Sequence, residues 1–191
     1  MDTLLRLSEH PTIKLFRPHV ARTSNEIEPL VWALDKAHAP SCWFPRDCPR
    51  ACCWADETTP LAQAGAALLG LGGARRLHAI EGAWLDRVRA CQLFVYEFDA
   101  ALFQPKIAEA GYWVARCDVV PLSVSPMGEL LARHVEAGIE LRVVRNLWPI
   151  IDAIIASGLE FSIIRKPFRS VDLARSLQEV LRCAGSSSAD R

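Results

Sequence analysis

The amino-acid sequence predicts an α+β fold: a mixed, twisted sheet with helices packed around it. Short apolar runs rich in β-branched and aromatic residues recur through the first two thirds of the chain. Helix and strand patterns then alternate in the last third, with no internal repeat and no linker to divide the 191 residues. A single globular domain over residues 1–184 follows, with a polar tail over 185–191.

The strand at Leu4-Leu5-Arg6-Leu7 ends at Ser8-Glu9-His10-Pro11, and residues 12–16 form a turn or extended piece. Residues 20–28 are polar and predict a surface loop before the strand at 30–34. Asp35 can cap a short helix over 35–44, limited by Pro40. Two prolines stiffen the turn Pro45-Arg46-Asp47-Cys48-Pro49, and a strand follows over 50–55. Thr58-Thr59-Pro60 opens an Ala/Leu-rich helix over 61–71. The glycines of Gly70-Leu71-Gly72-Gly73 follow that helix and precede the strand at 76–81, so they stop a helix. A phosphate loop needs the opposite order, strand before glycines and helix after.

A helix over 83–91, a strand over 93–98, a mixed connection over 101–111 and a strand over 112–115 come next. Pro121 marks 119–124 as an edge strand. Pro126-Met127-Gly128 opens a helix that runs through Glu136 to a stop near Gly138. The strand at 139–144, the apolar helix at 147–157 stopped by Gly158, and the strand at 161–164 complete the clearest part. An amphipathic helix is predicted over 172–183.

Charge and composition exclude several functions. The 22 basic and 22 acidic residues balance, which argues against nucleic-acid binding and gives no electrostatic pull toward an anionic membrane. The longest apolar stretches are broken by Pro149 and Asp152 and are too short to span a bilayer. Acidic Asp2 and the early Glu9 and His10 leave no apolar segment for a signal peptide, so a cytoplasmic location is expected. Seven irregularly spaced cysteines read as free thiols rather than a disulfide framework.

The segment from His38 through Cys42, Cys48, Cys52 and Cys53 is dense in zinc-ligand types, yet has no CxxC pair and no second pair downstream. No metal is expected. No GxSxG elbow and no HExxH spacing is present. Cys48 and His38 are left as candidates for a reactive dyad, and Glu81, at a strand end, as a candidate acid or base. Arg46, held out by the two-proline turn, suits bidentate binding of carboxylate or phosphate; alternatively Asp47 bonds its own backbone in a structural turn. Tyr112 beside Gly111 can stack on a planar ligand.

Several strings resemble a bacterial family of unknown function. They are Leu7-Ser8-Glu9-His10-Pro11-Thr12-Ile13, Phe16-Arg17-Pro18, Val31-Trp32-Ala33, Gly111-Tyr112-Trp113-Val114, Pro121-Leu122-Ser123-Val124, the segment 141–164 and above all Pro45-Arg46-Asp47-Cys48-Pro49-Arg50. The resemblance runs to about residue 165 and brings no activity with it. The order of elements in the first two thirds also resembles small ADP-ribosyltransferases, such as those that modify rifamycins. That likeness implies a nucleotide cleft and NAD as cofactor. Arg6 and Ser8 would contact ribose or phosphate, Trp32 would join the binding set, Tyr112 would stack on a ring and Arg46 would hold an anion. Glu81 would stabilise charge at an anomeric carbon. Where the family pattern has a histidine on the first strand, this chain has Arg6, which suits phosphate.

The expected function is thus a ligand-binding or enzymatic domain for a nucleotide or other anionic small molecule. One alternative is a non-catalytic interaction or regulatory domain, with the apolar segments 147–156 and 171–181 burying against a partner or forming a homodimer. A second is a biosynthetic enzyme of another class, with Cys48 or His38 as the reactive group.

Overall fold

The computed structural model describes residues 2–20, 27–56, 58, 66–69 and 72–167. The predicted helix over 172–183, the tail over 185–191 and most of the loop and helix predicted over 20–28 and 61–71 lie outside them. The described chain runs β1 Thr3–Ser8, β2 Val31–Leu34, β3 Arg50–Trp54, α1 Ala66–Leu69, β4 Arg76–Glu81, α2 Leu85–Ala90 and β5 Phe94–Asp99. It continues β6 Gln104–Ile107, β7 Tyr112–Ala115, β8 Ser123–Pro126, α3 Leu130–Glu136, β9 Glu140–Val144, α4 Trp148–Ser157 and β10 Glu160–Ile164. The fold is α+β, with the strands shared between two sheets rather than gathered in one.

The larger sheet has the order β6-β7-β2-β1-β5-β8 and is antiparallel throughout. Prolines stand in both of its edge strands, Pro105 in β6 and Pro126 in β8, where a missing N–H removes no ladder bond from a central pair. The smaller sheet, β10-β3-β4-β9, is mixed: only β4 and β9 run parallel. Every residue of β3 is buried, because strands flank it and both its faces are covered.

Alternation along β3 and β4 separates two cores. Ala51, Cys53, Leu77 and Ala79 pack against Leu147, Ile151 and Ile154 of the α4 region. Each buried leucine or isoleucine among them contributes about 1.5–3 kcal/mol. On the opposite face, Cys52, Trp54 and Ile80 pack with Val88, Met127 and Leu130, and with Leu7 and Val95 of the larger sheet, so this core joins the two sheets. A third core, around Phe16, Tyr96 and Phe98, covers the far face of the larger sheet.

Several elements differ from the sequence reading for local reasons. The helix expected over 35–44 is a single 3-10 turn, Ala39–Cys42, with Pro40 at its start. The connection expected over 101–111 contains β6, whose four residues are all exposed and carry no apolar alternation. Pro126 ends β8 instead of opening α3; the Glu129 side chain caps α3 by accepting from Leu131 N and Ala132 N at 3.1 and 2.6 Å. No helix among the described residues is long and apolar enough to cross a membrane.

Candidate functional site

β1 pairs with β5 over six residues, from Thr3 opposite Asp99 to Ser8 opposite Phe94. With β2 it shares one registered pair, Leu5 with Leu34. Past that pair the ladder gives way to a side chain: Arg6 Nη1 donates to the Trp32 carbonyl at 2.7 Å. A cavity of about 470 Å³ opens here between the two sheets. Arg6 and Ser8 of β1, Trp32 of β2 and Tyr112 of β7 line it from the larger sheet. The 45–48 turn contributes Arg46 and Asp47, and the end of β10 contributes Ile164 and Arg165.

The turn that carries Arg46 is closed by Cys48 N donating to Pro45 O at 3.0 Å and anchored by Arg46 N donating to Glu9 Oε1 at 2.9 Å. Both contacts use backbone, and among the described residues the Arg46 guanidinium has no hydrogen-bond or ion-pair partner. Asp47 does not bond its own backbone; it faces Arg165 Nη2 at 3.5 Å. Burial, and then the neighbouring Arg46, lower the Arg6 guanidinium to about 10, opposed by Cys42. Arg6 therefore stays charged at neutral pH beside a second unneutralised cation. Arg50 also lines the cavity but is committed: Nε donates to Ser41 O at 2.7 Å and Nη1 to Cys48 O at 3.0 Å.

Trp32 and Tyr112 meet edge to face, with centroids 5.9 Å apart. Burial pushes the Tyr112 phenol up to about 12, which keeps it a neutral donor. Ser8 Oγ accepts from His10 N at 3.1 Å, which leaves its hydroxyl hydrogen free to donate.

All five residues singled out for ligand binding, Arg6, Ser8, Trp32, Arg46 and Tyr112, thus line one cavity. The three singled out for catalysis do not. His38 turns Nδ1 to Asp35, 2.7 and 2.9 Å from its two oxygens, and sets its ring edge against Trp54. Cys48 is fully buried; its Sγ donates to Pro49 O at 3.5 Å, and burial raises the thiol to about 12. Glu81 Oε1 accepts from Leu147 N at 3.0 Å, at the residue that precedes α4. Among the described residues no three His, Cys, Asp or Glu side chains group as a metal site.

Arg165 carries no signal in the sequence that marks it as a site residue. It reaches the cavity because β10 pairs with β3, Ile164 opposite Arg50. Its φ of 55° is left-handed, the only such non-glycine residue among those described. That conformation costs an L residue roughly 1–2 kcal/mol.

Compared with curated proteins and with solved structures, the chain finds no match in either. Nothing in the comparisons carries the likeness to ADP-ribosyltransferases. The model of a family of unknown function, DUF6886, matches residues 5–167. That span takes in β1 with Arg6 and Ser8, the Pro-Arg-Asp-Cys-Pro-Arg turn and the strands that close the cavity, and the chain belongs to this family.

Proposed function

We propose that this domain binds an anionic small molecule, of the nucleotide class, in the cavity between its two sheets. The observation that carries the reading is the pair Arg6 and Arg46. Two guanidiniums lie near enough for one to depress the other, and the Arg46 head has no counter-ion among the described residues. Planar, forked donors of this kind suit phosphate or carboxylate oxygens. Trp32 and Tyr112 supply apolar faces for a ring, and Ser8 a hydroxyl donor. A cavity of about 470 Å³ is of the size that takes a small-molecule ligand. Cys48, His38 and Glu81 take no part in this reading, since each is committed away from the cavity.

The test is thermal unfolding of the full chain with phosphate, AMP, ADP, NAD and adenosine, for the native sequence and for Arg46→Ala. A ligand at about a hundred times its dissociation constant adds about 2.7 kcal/mol of stability. In a chain of this size that is a rise of roughly 5–10 °C. The phosphorylated ligands should raise the melting temperature of the native protein, adenosine less so, and Arg46→Ala should lose most of the rise. Absence of any shift, or an equal shift in Arg46→Ala, would overturn the reading.

A further inference from the structure

We infer that Arg165 is a third anion ligand of this cavity and selects molecules with two adjacent anionic groups, such as a phosphoanhydride or bisphosphate, over singly phosphorylated ones. The inference rests on the anion-binding reading of the cavity. Its starting point is the backbone of Arg165, which leaves the extended path of β10 for a left-handed conformation at the cavity mouth. A residue that forms no regular structure there and fits the conformation poorly is held for what its side chain does.

That side chain is loosely held. Its Nη2 lies 3.5 Å from Asp47 Oδ1, and the Asp47 side chain is 69% exposed, so the pair is weak and readily exchanged for a ligand. Its Nε donates to Arg46 O at 3.4 Å, the long end for such a bond. This second contact ties Arg165 to the same turn that presents Arg46.

Charge count then sets the ligand class. Five arginines line the cavity; Arg50 is spent on carbonyls and Arg87 is turned to Glu9 Oε2 at 3.7 Å, which leaves Arg6, Arg46 and Arg165 to meet an anion. Of the lining carboxylates, Glu9 is occupied by Arg46 N and by Arg87 Nη2 at 3.7 Å, and Asp47 is the weak partner of Arg165. A single phosphate meets two forked guanidiniums; the third calls for a second anionic group. The surplus is local, because the whole chain carries no net charge.

Calorimetric titration of the full chain with inorganic phosphate and with pyrophosphate, at one ionic strength, separates the claims. The native protein should prefer pyrophosphate by about tenfold or more. Arg165→Gln should reduce that preference to about threefold or less with phosphate binding little changed, and Arg165→Lys should restore part of it. Arg165→Gly, which accepts the left-handed backbone, should behave as Arg165→Gln and so removes misfolding as an explanation. A preference that survives in Arg165→Gln and Arg165→Gly overturns this inference and leaves the anion site standing. Failure of both anions to bind the native protein overturns the anion site and the inference together.

Discussion

His134 Nε2 lies 3.1 Å from His78 Nδ1, inside the core that joins the two sheets. His134 Nδ1 is 2.7 Å from the Leu130 carbonyl, which can only accept, so this nitrogen carries the proton and Nε2 is an acceptor. His78 therefore donates from Nδ1, and its buried Nε2 is a lone pair with no partner among the described residues. Burial holds both rings below the usual histidine range, and His134, Arg76 and Arg50 depress His78 further.

The sign of the pH dependence follows. Below about pH 6.5 the unfolded chain takes up protons on these two residues while the folded chain does not. Their contribution is complete above that pH and is lost as pH falls, by up to about 1.4 kcal/mol per pH unit for each histidine. Urea denaturation between pH 7.5 and 5 should show the loss, and His78→Leu should flatten it. A midpoint that stays constant down to pH 5 in the native protein would contradict the neutral, buried pair.

Gly111 should tolerate no side chain. Its φ of 66° is left-handed, and a Cβ there would overlap the His38 ring and lie 2.6 Å from Asp35 Oδ2. The Gly111 carbonyl also accepts from Asp35 N at 3.0 Å, which ties β7 to the His38 turn. Gly158 is the control: its φ of 73° is similar, and a Cβ added there would meet nothing within 4 Å. Gly158→Ala should cost about 1–2 kcal/mol, the conformational term alone. Gly111→Ala should exceed it by at least about 1 kcal/mol, the lower end of the range for overpacking. Urea midpoints at unchanged slope would measure the difference, and equal costs would refute the overlap.

These contacts mark what is legible in the sequence. β9, α4 and β10 stand close to their expected places because alternation, an apolar helix and Gly158 are all local signals. β6 leaves no such signal, because Gln104, Pro105 and Lys106 are exposed edge residues, held by pairing with β7 rather than by a buried face. Arg6 and Ser8 can be matched as neighbours two apart on one strand, and the turn advertises Arg46 through its prolines. The partners that commit the other candidates are out of reach of local pattern. Leu147 N, which occupies Glu81, is 66 residues away, and Arg165 meets Arg46 across 119. Two sheets in place of one is a fact of the same kind, since a strand's own residues do not name its neighbour.

Cysteine reactivity should follow burial and not the density of cysteines around residue 48. Among the described cysteines, Cys117 is exposed, Cys42 and Cys91 are half-buried, and Cys48, Cys52 and Cys53 are buried. Burial raises the thiols of Cys48 to about 12 and of Cys53 and Cys91 to about 11, so almost no thiolate forms there at neutral pH. Brief labelling of the native protein with N-ethylmaleimide, followed by peptide mapping, should modify Cys117 well ahead of Cys48, Cys52 and Cys53. Denaturant should remove that order, and raising the pH from 7 to 9 should leave Cys48 protected, because access limits it as well as ionisation. Labelling of Cys48 as fast as Cys117 in the native protein would mean that the thiol is open to solvent and would restore it as a nucleophile beside the arginine cavity.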